Sequence, residues 1–118
     1  GTPWAIVSSG SRWFVQRCFA AASLPLPAVR VFGEDVRRGK PAPDGYLRAA
    51  RRLAVHPADC VVVEDTPDGV RAGTSAGCTV IAVATTHAPV RLRDADRCLP
   101  TLSAVADLLP TLVLNGDQ

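Results

Sequence analysis

Apolar runs and helical periodicities alternate along the chain. Residues 4–7 form a short apolar run that predicts a strand, and Ser8-Ser9-Gly10-Ser11 follows as a tight polar turn. Phe14, Val15, Cys18, Phe19 and Ala22 then mark one face of a helix. Leu24-Pro25-Leu26-Pro27 stops it, because two prolines cannot continue a helix. Residues 29–32 predict a second strand, and residues 33–43 a loop rich in charge, glycine and proline. Pro43 and Asp44 suit a helix start, by fixed φ and by the dipole. Tyr46, Leu47, Ala50, Leu53 and Ala54 repeat at helical spacing behind them, up to His56-Pro57.

The second half has the same alternation. Residues 60–63 predict the third strand, Thr66 an N-cap, and Pro67 the first helical position. That helix runs through Val70, Ala72, Gly73 and Ala76 to Gly77, a usual C-terminal stop. Residues 79–83 predict the fourth strand, 89–92 a helical turn, 98–99 a short strand and 102–109 a closing helix. Residues 115–118 read as a frayed tail. Strands alternating with helices predict an α/β fold with a parallel sheet and right-handed crossovers. Ligands bind beyond the carboxyl ends of strands in such sheets. Ser8 to Ser11, the loop carrying Lys40, and Glu64-Asp65 all follow strands, so all should open on one edge.

Each of these features has an ordinary reading. Ser9 and Gly10 could be a capped helix start, Lys40 a solvated charge, and Glu64-Asp65 a polar turn. Together they suggest more. Backbone N–H groups at a helix start favour an anion, and the Ser9 hydroxyl adds a donor. Lys40 stands between Gly39 and Pro41, a restrained setting in which its charge can neutralise a phosphoryl group. Glu64 and Asp65 supply hard oxygens of the kind that hold magnesium together with waters and substrate phosphate. Anion donors, a fixed lysine and a metal at one sheet edge are the parts of a phosphoryl-transfer site. No nucleophile is evident: Ser8, Ser9 and Ser11 have no base nearby, and His56 and His87 are each isolated. His56, at a helix end, reads as structural, while His87 follows the fourth strand near the expected site edge.

Composition narrows the partners. The chain has 118 residues, 47% apolar and 20% charged, which fits one soluble globular domain. A formal charge of +2, carried by scattered basic residues, argues against nucleic acid. No apolar run is long enough to cross a bilayer, so no membrane role is expected. Cys18, Cys60, Cys78 and Cys98 form no C-x-x-C pair and no zinc pattern. Free thiols, buried at Cys60 and Cys78, fit a reducing, cytoplasmic setting. No signal-peptide pattern is read at the start. The opening Gly1-Thr2-Pro3-Trp4 and the lack of methionine suggest a piece of a longer protein.

Three stretches carry a family resemblance. Val7-Ser8-Ser9-Gly10-Ser11, Gly39-Lys40-Pro41-Ala42-Pro43-Asp44 and Val63-Glu64-Asp65-Thr66-Pro67-Asp68-Gly69-Val70-Arg71-Ala72-Gly73 resemble motifs two, three and four of the haloacid dehalogenase superfamily. Their order and spacing agree over roughly residues 4 to 100. The branch they resemble most is that of the small sugar-phosphate and polyol-phosphate phosphatases, with the β-phosphoglucomutases nearby. Ser8-Ser9-Gly10-Ser11-Arg12 resembles the Thr-Ser-Gly-Thr-Arg of glycerol-phosphate and deoxysugar-phosphate phosphatases. The resemblance implies a Rossmann-like parallel sheet with helices on both faces. It makes the Ser9 hydroxyl a phosphoryl-binding group assisted by the Gly10 N–H. Lys40 would bridge phosphoryl group and nucleophile, and Glu64 and Asp65 would hold Mg2+, Asp65 foremost. Asp35 and Asp68 lie beside the motifs and receive no role.

The family's first motif, Asp-x-Asp-Gly-Thr, has no counterpart in these residues. In the family its first aspartate is the nucleophile and its second the general acid and base. Nor is there a counterpart of the substrate-selecting cap. Residues 1–118 are therefore expected to be a partial core, with an empty place between the strands carrying motifs two and four. The intact protein is expected to be a monomeric phosphomonoesterase acting on a small phosphorylated metabolite, and the piece alone to be inactive. A β-phosphoglucomutase-like isomerase would share these core residues. A dehalogenase would not need the Glu64-Asp65 pair. A non-catalytic phosphate-binding module is a rival from another class, and a receiver-type domain would carry its acids earlier.

Overall fold

The computed structural model describes residues 3–116, with side chains through residue 109. The predicted alternation is present. Strand β1 (Ala5–Val7) leads to helix α1 (Arg12–Ala21), then β2 (Val29–Val31) and α2 (Asp44–Leu53). Strand β3 (Val61–Glu64) leads to α3 (Pro67–Ser75), β4 (Thr79–Val83), β5 (Arg97–Leu99) and α4 (Leu102–Gly116). Short 3₁₀ turns lie at Gly33–Asp35, Pro57–Asp59 and Pro89–Leu92. The helix starts follow their sequence signals. The Thr66 hydroxyl accepts from the Gly69 N–H at 3.0 Å with Pro67 behind it, and the Ser11 hydroxyl accepts from the Phe14 N–H at 3.2 Å.

The strands form two parallel sheets rather than one unbroken sheet: β1 pairs with β2, and β3-β4-β5 form the second. The registers are Ala5 with Val29 and Val7 with Val31 in the first, and Val61 with Thr79 through Glu64 with Ala82 in the second. No ladder joins β1 to β3 among the described residues. The separation falls where the family resemblance puts an empty strand position. Helix α2 spans the seam, since it packs on β1, on β2 and on α3.

Burial follows this division. Strand β4 is covered on both faces. Val80 and Ala82 pack with Val62, Val70 and Ala76 on one side, while Ile81 and Val83 pack with Val105 of α4 on the other. In β3 only alternate residues are enclosed: Val62 and Glu64 are buried, whereas Val61 and Val63 are exposed. The expected apolar face of α1 is not covered. Val15 alone of that helix is buried, and Trp13, Phe14 and Cys18 are exposed. Periodicity identifies a face but not a partner for it.

The remaining differences are at ends. The third strand sits one residue later than predicted, so that Glu64 belongs to the ladder. The closing helix passes Leu109 and Pro110 to reach Gly116, so Asn115 and Gly116 are helical rather than frayed. Proline is unfavourable inside a helix, but the sequence beyond it returns to an apolar run at Leu112-Val113-Leu114. Asp117 and Gln118 of the expected tail lie outside the described residues. All four cysteines are free: Cys78 is buried as expected, Cys60 is only half-buried, and Cys18 and Cys98 are exposed.

Candidate active site

Residues that follow β1 and β3 line one shared cleft of about 380 Å³, so the carboxyl ends of these two strands lie on the same side of the molecule. Ser9, Lys40, Thr66, Pro67, Asp68, His87 and Arg91 line it. Ser9 and Lys40, far apart in sequence, thus share one wall-lined space. The exposed turn after β1 presents Ser9. A close approach fixes that turn: a Cβ on Gly33 would lie 2.6 Å from the Ser9 carbonyl oxygen. Gly10 does not line the cleft, and its N–H donates to the Ser8 hydroxyl at 3.0 Å.

Lys40 and Glu64 meet at the seam between the sheets. The Lys40 ammonium donates to the Val7 carbonyl at 3.2 Å and to Oε2 of Glu64. The Tyr46 hydroxyl donates to the same Oε2. The ammonium also lies 5.2 Å from the centre of the Tyr46 ring, within cation–π range. Burial followed by the nearby Glu64 charge pushes the Tyr46 hydroxyl's pKa upward, so it stays a proton donor. Glu64 is only 8% exposed. A buried carboxylate needs partners, and losing one of them costs about 3–5 kcal/mol. The other side of this carboxylate is closed by α3, where a Cβ on Gly69 would overlap it at 1.9 Å. Only glycine fits there.

Asp65 is placed differently. It is half-buried beside Thr66, the residue that lines the cleft. The Thr86 hydroxyl lies 3.1 Å from Oδ2 of Asp65, 3.1 Å from its backbone oxygen and 3.0 Å from Nδ1 of His87. One hydroxyl proton serves one of these acceptors at a time. His87 Nδ1 is 3.2 Å from the Asp65 backbone oxygen, so Thr86 and His87 together steady the turn after β3.

Magnesium takes oxygen ligands and is usually held by one or two carboxylates plus phosphate and water. Asp65 fits that requirement, since its Oδ1 makes none of these contacts. Glu64, as placed, is the counter-charge of Lys40 and turns toward Tyr46. No group of three or more His, Cys, Asp or Glu side chains gathers among the described residues. Arg12 does not line the cleft. It pairs with Asp35 at 2.8 Å and stacks over Phe32. His56 has the structural role expected of it, its Nδ1 accepting from the Ala58 N–H.

Sequence reasoning overlooked three residues here. Tyr46 looked like one apolar position of a helical face. Thr86, in the polar turn after β4, carries no sequence signal that marks it for the site. Arg91, in the 3₁₀ turn after β4, was noted only as part of a helical turn, with no chemistry assigned. The proximity of all three to the site depends on tertiary packing.

Known proteins complete the picture. The profile described as "Hydrolase: haloacid dehalogenase-like hydrolase" matches residues 1–77. The chain belongs to this family. It is 48% identical over 117 residues to hexitol phosphatase A of Escherichia coli (strain K12), covering 99% of this chain and 53% of that protein. It is 36% identical to validoxylamine A 7'-phosphate phosphatase of Streptomyces hygroscopicus subsp. limoneus, over 87% of this chain and 49% of the relative. A crystal structure of a HAD family hydrolase from Deinococcus radiodurans R1, with bound phosphate and sodium, superposes with a TM-score of 0.85. That pair is 29% identical and covers 97% of this chain and 54% of the other. The chain thus spans about half the length of the curated relatives it matches. No described helix is long and apolar enough to cross a membrane.

Proposed function

We propose that this chain is the phosphate-binding portion of a phosphomonoesterase that hydrolyses small sugar or polyol phosphates. The observation carrying this reading is the cleft in which Ser9 and Lys40 converge, with Asp65 beside its Thr66 wall. The 48% identity to a hexitol phosphatase supports the polyol class. The Ser9 hydroxyl donates to a phosphoryl oxygen, and the Lys40 ammonium neutralises charge on the same group. Gly10 adds its N–H by exchanging the Ser8 hydroxyl for a phosphoryl oxygen. Asp65 holds magnesium, which when bound supplies Lewis-acid stabilisation of the phosphoryl charge. Glu64 keeps Lys40 in place and reaches the metal only by turning away from it.

In the intact protein an aspartate from outside these residues attacks phosphorus in line, and water then releases phosphate from the aspartyl ester. Such a protein would be a cytoplasmic monomer. The test uses both forms. The longer protein should release phosphate from hexitol phosphates in the presence of magnesium, and the 118-residue chain should not. Asp65→Ala in the longer protein should lower kcat by at least about a hundredfold. Magnesium-dependent turnover by the chain alone, or a full rate in the Asp65→Ala variant, would refute the assignment.

A further inference from the structure

Opposite the cleft, at the amino ends of β3 and β4, two thiols face each other. The ladder pairs Val61 with Thr79, and the Thr79 N–H donates to the Cys60 carbonyl at 3.1 Å. One step earlier, the same register sets Cys60 against Cys78. Neighbouring strands lie about 4.8 Å apart, inside the roughly 4.4–6.8 Å between Cα atoms that a disulfide spans. Both side chains project to one face of the sheet. Cys78 belongs to the buried cluster with Val62 and Val80, and Cys60 packs against that cluster. The Cys60 thiol reaches the His56 carbonyl at 3.5 Å and is half-buried, which gives a small reagent a way in. Neither residue lines the cleft.

We propose that Cys60 and Cys78 are a dithiol modification site that closes to an intrachain disulfide on exchange with a small disulfide such as oxidised glutathione. The Cys60 thiolate attacks one sulfur of glutathione disulfide and releases one glutathione thiolate. The Cys78 thiolate then attacks Cys60 Sγ in the mixed disulfide and releases the second. Two protein thiols are oxidised and one glutathione disulfide is reduced to two thiols. The two protons pass to the departing glutathione thiolates. Burial raises the pKa of both thiols, that of Cys78 to about 11, so exchange is slow at neutral pH and faster in mild alkali. The product ties β3 to β4 at the end away from Ser9, Lys40 and Asp65.

The test uses a Cys18→Ser/Cys98→Ser double variant, which removes the two exposed thiols. It is equilibrated with reduced and oxidised glutathione at a pH of about 8.5, where more thiolate is present. Intact mass should fall by two hydrogen atoms, and peptide mapping should join the Cys60 and Cys78 peptides. The ratio of disulfide to dithiol should be at least about tenfold higher in native buffer than in strong urea, because the fold holds the sulfurs together. An equal or lower ratio in native buffer overturns the proposal. So does a product dominated by glutathione adducts or intermolecular dimers.

Discussion

The two sheets are enclosed to different degrees. Around β4 the core is closed: Val80, Ile81 and Ala82 have no exposed surface, and helices cover both faces. Around β1 and β2 enclosure is partial. All of β1 is half-buried, and Trp4, Trp13, Phe14 and Leu24 are exposed. The proposed site draws on both regions. Ser9 comes from the open one and Asp65 from the closed one, while Lys40, Tyr46 and Glu64 join them. The proposed phosphate site therefore depends on the seam as much as on either sheet. Both tryptophans, Trp4 and Trp13, lie in the open region, so their fluorescence reports that half alone.

The largest effect is expected at the seam. Lys40→Ala leaves the buried Glu64 carboxylate with Tyr46 as its remaining partner and frees the Val7 carbonyl. Stability should fall by about 3–5 kcal/mol. Urea titration followed by tryptophan fluorescence and by circular dichroism should register the loss in both halves. A change confined to the fluorescence transition would mean that the seam does not couple the sheets.

The next contrast separates the halves. Ile81→Ala opens a cavity between β4 and α4 and should cost about 3 kcal/mol. Trp13→Ala removes a side chain that is 66% exposed and stacked under Arg17 at 4.9 Å. It should cost less than about 1 kcal/mol. Equal losses in circular-dichroism melts would erase the distinction between an enclosed and an open half.

These differences also show what the amino-acid pattern can carry. Strand runs, the Thr66-Pro67 helix start, and the placement of Ser9, Lys40 and Asp65 beyond strand ends were all legible, because each depends on local spacing. The division into two sheets was legible only through the family resemblance, which left an empty place between the strands carrying motifs two and four; local spacing alone does not name ladder partners. The exposure of Phe14 was hidden for the same reason: an amphipathic helix looks alike whether its face is covered or bare. Tyr46 was concealed by its own chemistry. Its ring keeps the helical apolar pattern while its hydroxyl serves Glu64.

Tyr46→Phe isolates that hydroxyl. The ring and its contact with Lys40 remain, and only the hydrogen bond to the carboxylate goes. A hydrogen bond to a charged group contributes about 1.5–3 kcal/mol, so the variant should lie between the two preceding ones. Inorganic phosphate titrated calorimetrically should bind more weakly by a few-fold, because Glu64 is then oriented by Lys40 alone and holds the ammonium less firmly in place. An unchanged urea midpoint would make the hydroxyl dispensable and leave Lys40 and the packing of α2 as the ties between the halves.

The smallest effect tests the open half by pH. Asp35 accepts from the Phe32 N–H at 2.9 Å and pairs with Arg12 at 2.8 Å. The backbone hydrogen bond first, and the arginine charge after it, hold this carboxyl below its ordinary value of 3.8, against burial, which raises it. A carboxyl depressed in the folded state adds stability above its unfolded value, and that stability is lost as pH falls through the folded one. Asp35→Asn keeps a neutral acceptor for the Phe32 N–H and removes the charge. It should cost about 0.5–1 kcal/mol at neutral pH, the range of an exposed ion pair. Below both values the wild-type carboxyl is protonated too, and the two proteins should converge. Since Asp35, Phe32 and Arg12 all belong to the β1–β2 half, tryptophan fluorescence should detect the convergence. If the gap between variant and wild type stays constant down to acid pH, the Asp35 charge contributes nothing to that half, and its stability rests on packing around Val31 and Phe32.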